Sequence, residues 1–129
     1  MPLIDHLGLT ASDFNRSKAF YDAALKPLGM RVVMQVSAEE TGGSPYVGYG
    51  AGRPVFWVGA NGPVSGPMHV AFTAQTRAAV DAFHAAAMAA GGRDNGAPGV
   101  RAHYHPSYYG AFVLDPDGIN VEAVCHAPV

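Results

Sequence analysis

"HLGLTASDFNRSKAFYDAALKPLG", residues 6–29, can be laid without a gap on "HVAFTAQTRAAVDAFHAAAMAAGG", residues 69–92. The shift is a constant 63 positions, and it brings His6 onto His69, Thr10 onto Thr73, Ala11 onto Ala74, Phe20 onto Phe83 and Gly29 onto Gly92. Alanine is common here, so the His, Thr, Phe and Gly matches carry the weight. A fixed internal period means that one supersecondary unit is written twice. Each copy opens as a strand, "LIDHLGLT" or "MHVAFTA", and continues as a helix that glycine ends. In the first copy three short strands follow, "MRVVMQV", "SPYVGYG" and "PVFWVGA". In the second, "GRDNGAPG" reads as a loop, and "VRAHYH", "YYGAFVLD" and "NVEAVCH" read as strands. "DPDG", residues 115–118, is a hairpin turn between the last two, with Pro116 setting φ and Gly118 free to take positive φ. The order is βαβββ twice, an α+β chain with one module over residues 1–60 and another over 67–129, joined by "NGPVSGP".

Bulk composition is consistent with one compact domain of 129 residues, 49% apolar, 14% charged and formally −2. No basic run exists, so neither nucleic acid nor an anionic membrane is expected as a partner. The first residues lack the basic start of a signal peptide, and no apolar run is long enough to span a membrane. A cytoplasmic location is expected. The single cysteine, Cys125, excludes a disulfide framework within the chain.

Side chains alternate between the two faces of a strand. His6, Gly8 and Thr10 therefore share one face and Leu7 and Leu9 the other; His69, Ala71 and Thr73 oppose Val70 and Phe72. The bulky faces should pack on helices, and the histidine faces should look onto a cavity. In the last strand Glu122 shares its face with Asn120 and Val124. Two imidazoles and one carboxylate are a common ligand set for a divalent ion, with positions left open for water or substrate. A buried, unpaired carboxylate is costly, and a cation offsets that cost. His6, His69 and Glu122 are accordingly the candidate metal ligands. "HYHPSYYG", residues 103–110, places His103, His105, Tyr108 and Tyr109 together; these read equally as a polar strand edge or as a pocket rim supplying acid–base groups. Phe56 and Trp57 are candidate pocket walls. His84, mid-helix, reads as packing or surface, and His126 and Cys125 read as incidental.

The paired βαβββ units, the histidine in the first strand of each, and "DPDG" followed by "NVE" resemble the vicinal oxygen chelate superfamily, which includes glyoxalase I, extradiol dioxygenases and the fosfomycin- and bleomycin-resistance proteins. The resemblance covers essentially the whole chain. It implies two modules whose eight strands form a half-open, barrel-like mixed sheet around a divalent ion (Zn, Ni, Mn, Co or Fe), held by His6, His69 and Glu122. It also implies a homodimer, with modules paired within a chain or swapped between chains. The expected function is a metal-dependent enzyme acting on a small substrate with vicinal oxygens, a glyoxalase-like lyase or isomerase before a dioxygenase, with His105, Tyr108 and Tyr109 as candidate catalytic groups. The alternative is a small-molecule-sequestering dimer of the bleomycin-resistance type. Three positions depart from relatives: Trp57 stands where glyoxalase I carries a fourth carboxylate ligand, Phe112 where extradiol dioxygenases carry a tyrosine, and Gly8 where fosfomycin enzymes carry a threonine.

Overall fold

A computed structural model of the protein describes residues 4–60, 62 and 68–128, so most of the joining segment lies outside the described residues. The first unit runs β1 (Leu7–Thr10), α1 (Phe14–Leu25), a 3₁₀ turn (Lys26–Leu28), β2 (Arg31–Val36), a one-turn α2 (Ala38–Thr41), β3 (Tyr46–Gly50) and β4 (Phe56–Gly59). The second runs β5 (His69–Thr73), α3 (Arg77–Ala89), β6 (Arg93–Val100), β7 (Tyr109–Leu114) and β8 (Asn120–Cys125). The α+β class and the doubled βαβββ order stand as read. The strands form two four-stranded mixed sheets, ordered β1-β4-β3-β2 and β5-β8-β7-β6, rather than one continuous eight-stranded sheet. In each sheet the first and last strands of the unit pair in parallel and the other pairs are antiparallel.

Local signals explain the helices. Asp13 and Thr76 cap α1 and α3, each accepting from a backbone N–H three residues on. Ser37 and Glu40 form a reciprocal capping box that nucleates α2, a turn the sequence pattern hid among Gly, Pro and Glu. The helix stops differ between the copies. Gly29 takes φ 80° in the first, but in the second Gly91 takes φ 99°. Gly92, which aligns with Gly29, is needed for space: a Cβ there would fall 2.5 Å from Val113 and 2.7 Å from Phe20.

The expected loop "GRDNGAPG" is instead most of β6, and "VRAHYH" is not a strand, because β6 ends at Val100. Breaker residues are tolerated because β6 is an edge strand. Its register with β7 slips at Asp94/Gly96 and again at Gly96/Gly99. Pairing with β7 outweighs the weak intrinsic strand preference of Gly, Asn and Pro.

The bulky strand faces pack on the helices, as alternation requires. Val47, Tyr49, Phe56 and Val58 in one sheet, and Val113, Val121 and Ala123 in the other, join Phe20, Tyr21, Leu25, Val80 and Phe83 in one core. Helix α1 packs on α3, so the units meet through their helix layers. Phe56 and Phe72 meet edge-on across this junction, ring centroids 5.0 Å apart. The "DPDG" turn ties the units further. Gly118 has φ 81°, as a tight turn needs. Asp115 accepts from Tyr21 of α1 at 2.6 Å, and Asp117 accepts from the backbone N–H and hydroxyl of Ser12. No helix among the described residues is long and apolar enough to cross a membrane.

Two buried phenols make alkaline stability predictable. Burial first, then the Asp115 carboxylate, holds the Tyr21 hydroxyl well above the ordinary tyrosine range. Burial and Asp22 do the same to Tyr49. A raised folded pKa gives stability that is whole below the unfolded value of about 10 and declines above it. The urea midpoint should therefore stay level from about pH 8 to 9.5 and fall beyond about 10. Tyr21→Phe should flatten part of that fall; an equal alkaline slope in the variant would remove Tyr21 as a source.

Candidate functional site

Glu122 lies on the polar face of β8, yet it is only 2% exposed. Two side chains cover it. His69, on the adjacent parallel strand β5, places Nε2 3.0 Å from Glu122 Oε1. Tyr108, just before β7, donates its hydroxyl to Oε2. A Cβ on Gly110 would fall 3.1 Å from both Glu122 Oε2 and the Tyr108 ring, so the glycine makes room for this pair.

The second nitrogen of His69 decides what the pair can do. Nδ1 lies 3.2 Å from the backbone carbonyl of Asn120. A carbonyl only accepts, so Nδ1 carries the proton. In a neutral imidazole Nε2 is then a lone pair, and it is aimed at a carboxylate oxygen. Two acceptors at that distance need a proton or a cation between them. A backbone carbonyl fixing the far nitrogen is also how metal-binding histidines are oriented. These donors fit a divalent ion on chemical grounds. The Tyr108 hydroxyl is held protonated well above the ordinary range, by burial first and then by Glu122. It remains a donor at neutral pH.

His6 stands apart from this pair. It precedes β1, bonds Asp5 at 2.8 Å, and its side chain is more than half exposed. Arg53 bonds the same carboxylate at 3.0 Å. The His6 bond first, then Arg53, holds Asp5 below the usual carboxylate range. Among the described residues no three of His, Cys, Asp and Glu come together as a metal set. The expected set of His6, His69 and Glu122 is thus not assembled within the described chain, whose units join through α1 and α3.

Register confirms the position of Trp57. Gly8 pairs with Trp57 across β1 and β4, and its repeat-mate Ala71 pairs with Glu122 across β5 and β8. Trp57 is therefore the structural equivalent of Glu122 and brings no ligand. Phe56, expected beside it on the pocket wall, faces the core between Tyr21 and Phe72. Adjacent strand residues cannot both line one face.

The "HYHPSYYG" segment splits in the same way. Tyr109 turns to the helix side, donating to Asp81 of α3 at 2.6 Å with the Arg77 guanidinium 5.0 Å above its ring. It is thus removed from Tyr108 and from the site. His103 is exposed against Tyr104, ring centroids 4.2 Å apart. His105 packs against the Tyr108 ring at 5.5 Å and stacks on His126. Ser107 N–H donates to His105 Nδ1, which leaves Nε2 to donate to His126 Nδ1. His126 therefore steadies the segment, although it read as incidental; its spacing of four from Glu122 on a strand was the available signal. His84 bonds Asp94 of β6 at 2.9 Å. Phe112 stacks near His69, centroids 6.1 Å apart, and Arg101 covers it at 5.5 Å.

A sequence model of the Glyoxalase/Bleomycin resistance protein/Dioxygenase superfamily matches residues 3–123. Among solved structures, a glyoxalase/bleomycin resistance protein from Albidiferax ferrireducens is 29% identical, with TM-score 0.75 over 96% of this chain and 98% of that one. A lactoylglutathione lyase from Agrobacterium tumefaciens is 21% identical, with TM-score 0.65 over 97% and 94%. Glyoxalase I from Zea mays is 21% identical, with TM-score 0.66 over 94% of this chain and 43% of that one. The last two likenesses show the fold alone. No curated protein matches significantly.

Proposed function

Given that the chain belongs to the glyoxalase/bleomycin resistance/dioxygenase superfamily, we propose that it is a divalent-metal-dependent enzyme acting on a small substrate with vicinal oxygens, in the manner of a glyoxalase-like lyase or isomerase. The observation that carries this reading is His69 Nε2 standing 3.0 Å from an oxygen of the buried Glu122, with Nδ1 turned to the Asn120 carbonyl. A divalent cation there would be held by His69 and Glu122 of one chain with His6 of the partner subunit. Bound there, it would supply a Lewis acid for the substrate oxygens. The protein's own part is to orient and to protonate. Asn120 sets the tautomer of His69. Tyr108 holds the second Glu122 oxygen and keeps a proton beside the site. His105 and His126 brace the Tyr108 ring. Trp57, in place of a fourth ligand, leaves positions open for substrate.

The sharing of a site between chains calls for a homodimer, in which polar sheet faces of different copies meet. Sedimentation velocity at micromolar protein should give a dimer, and metal analysis should find about one divalent ion per chain. A monomer at that concentration, or a protein that takes up no divalent ion, would sink the reading. Turnover is to be sought with hemithioacetals, catechols and epoxides.

A second reading, a sequestering dimer without turnover, is favoured by Trp57 alone, because that residue replaces a carboxylate with an apolar ring. Ligand binding that is indifferent to metal would establish it.

A further inference from the structure

Arg101 and Tyr108 face each other just beyond the ends of β6 and β7, where the Arg101 backbone N–H donates to the Tyr108 carbonyl at 2.7 Å. Residues opposite one another on paired strands project to the same side of a sheet. On that side Tyr108 reaches Glu122, and Arg101 reaches Phe112, with Cζ 5.5 Å from the ring centre. Phe112 in turn pairs with Glu122 across β7 and β8 and stacks near His69. The guanidinium therefore lies on the face that carries His69 and Glu122, one phenyl ring away from them.

Arg101 is fixed there by the backbone. Nη1 donates to the Gly99 carbonyl at 2.8 Å and Nη2 to the Ala97 carbonyl at 2.7 Å. Both carbonyls belong to the stretch where β6 slips its register with β7. Glycine leaves room for the fork: a Cβ on Gly96 would fall 3.2 Å from Nη2, and one on Gly99 3.1 Å from Nη1. A guanidinium held in this way has less rotamer freedom left to lose when a ligand arrives.

Its charge is not matched. Arg101 is half-buried, and among the described residues no carboxylate lies within ion-pair range of it, whereas Arg53 pairs with Asp5 and Lys18 with Asp22. Carbonyl dipoles satisfy two N–H groups without neutralising the cation, and the rest of the fork has no partner among the described residues. Burial and Glu122 hold the Tyr108 hydroxyl high while the Arg101 charge pulls it down, so that charge is felt inside the site.

The geometry points to Arg101 as the residue that selects an anionic substrate, a small molecule that brings vicinal oxygens to the His69–Glu122 end and a carboxylate, across the Phe112 ring, to the guanidinium. The inference rests on the proposed metal site for where the vicinal oxygens go, and on Arg101 alone for the charge. The free N–H groups of the fork match a carboxylate in shape as well as in sign.

The probes are 3,4-dihydroxybenzoate and 3,4-dihydroxybenzamide, matched in shape and in their vicinal hydroxyls and different in charge. Calorimetry should show the acid binding about tenfold tighter than the amide at low salt, with the margin shrinking as ionic strength rises. Arg101→Gln should remove the margin. Arg101→Lys, which keeps the charge and loses the fork, should keep part of it. An arginine that only ties down β6 would lower the urea midpoint in both variants and leave acid and amide ranked as in the parent. That result, equal affinities in the parent, or no binding of either probe at millimolar concentration would each overturn the inference. Repeating the pair with and without stoichiometric zinc tells the two readings apart. A margin with no response to zinc upholds Arg101 and removes the metal; a response to zinc with no margin removes Arg101 alone.

Discussion

Glu122→Gln should abolish the proposed divalent-ion binding and bring any turnover to background, while leaving the fold as stable as before. Metal affinity should fall by more than about 100-fold, a loss of about 2.7 kcal/mol, since even groups behind the ligands commonly cost 10–100-fold. The fold should survive for a specific reason. Glutamine offers an amide oxygen to the Tyr108 hydroxyl and an N–H to His69 Nε2. Both contacts of Glu122 are then satisfied without a proton or cation between them. Parent protein with metal at about 100 times its Kd should gain about 2.7 kcal/mol against unfolding, and the variant should gain nothing. Melting curves with and without metal, together with metal content after dialysis, check this. Unchanged metal content would remove Glu122 from the ligand set. Loss of metal with unchanged ligand affinity would leave the sequestering reading.

Asp115→Ala should cost as much stability as a large core truncation. The carboxylate is 4% exposed. One oxygen accepts from the backbone N–H groups of Asp117 at 2.8 Å and Ile119 at 2.9 Å. The other accepts the Tyr21 hydroxyl at 2.6 Å, from the other module. Truncation strands three donors, two of them in the turn that sets the β7–β8 register. Bonds to charged acceptors contribute about 1.5–3 kcal/mol each, with incomplete additivity, so a cost of about 3–5 kcal/mol is expected. In a chain of this length that is a fall in Tm of about 10–20 °C. Tyr21→Phe, which removes one donor and leaves the carboxylate satisfied by the backbone, should cost about 1–2 kcal/mol. A loss below about 1 kcal/mol in Asp115→Ala would mean that the turn holds without its carboxylate.

Much of this was legible in the amino-acid order. The gapless repeat disclosed the doubled βαβββ unit. Alternation along β5 and β8 put His69 and Glu122 on polar faces, while the parallel pairing of those two strands, which brings the side chains together, was seen only in the sheet. Alternation also equated Trp57 with Glu122, as the register bears out. These are local or periodic properties, and one strand determines them. The same rule, followed further, would have turned Phe56 and Tyr109 to the helix side and His126 to the side of Glu122.

Other features were decided only when elements met. β6 is a strand because β7 lies beside it, and no residue preference within "RDNGAPGV" announces that partner. Asp115 and Asp117 read as turn residues, and each does close or flank the turn. Their reach to Tyr21 and Ser12 depends on how one module settles on the other. His6 matches His69 in the repeat yet stands in a different environment, beside Asp5 and Arg53. A repeat specifies each unit's internal geometry, whereas packing of α1 on α3 specifies which faces the chain buries against its helices and which it turns away from them. That choice is a sum over many apolar contacts between distant residues, and no period in the sequence encodes it.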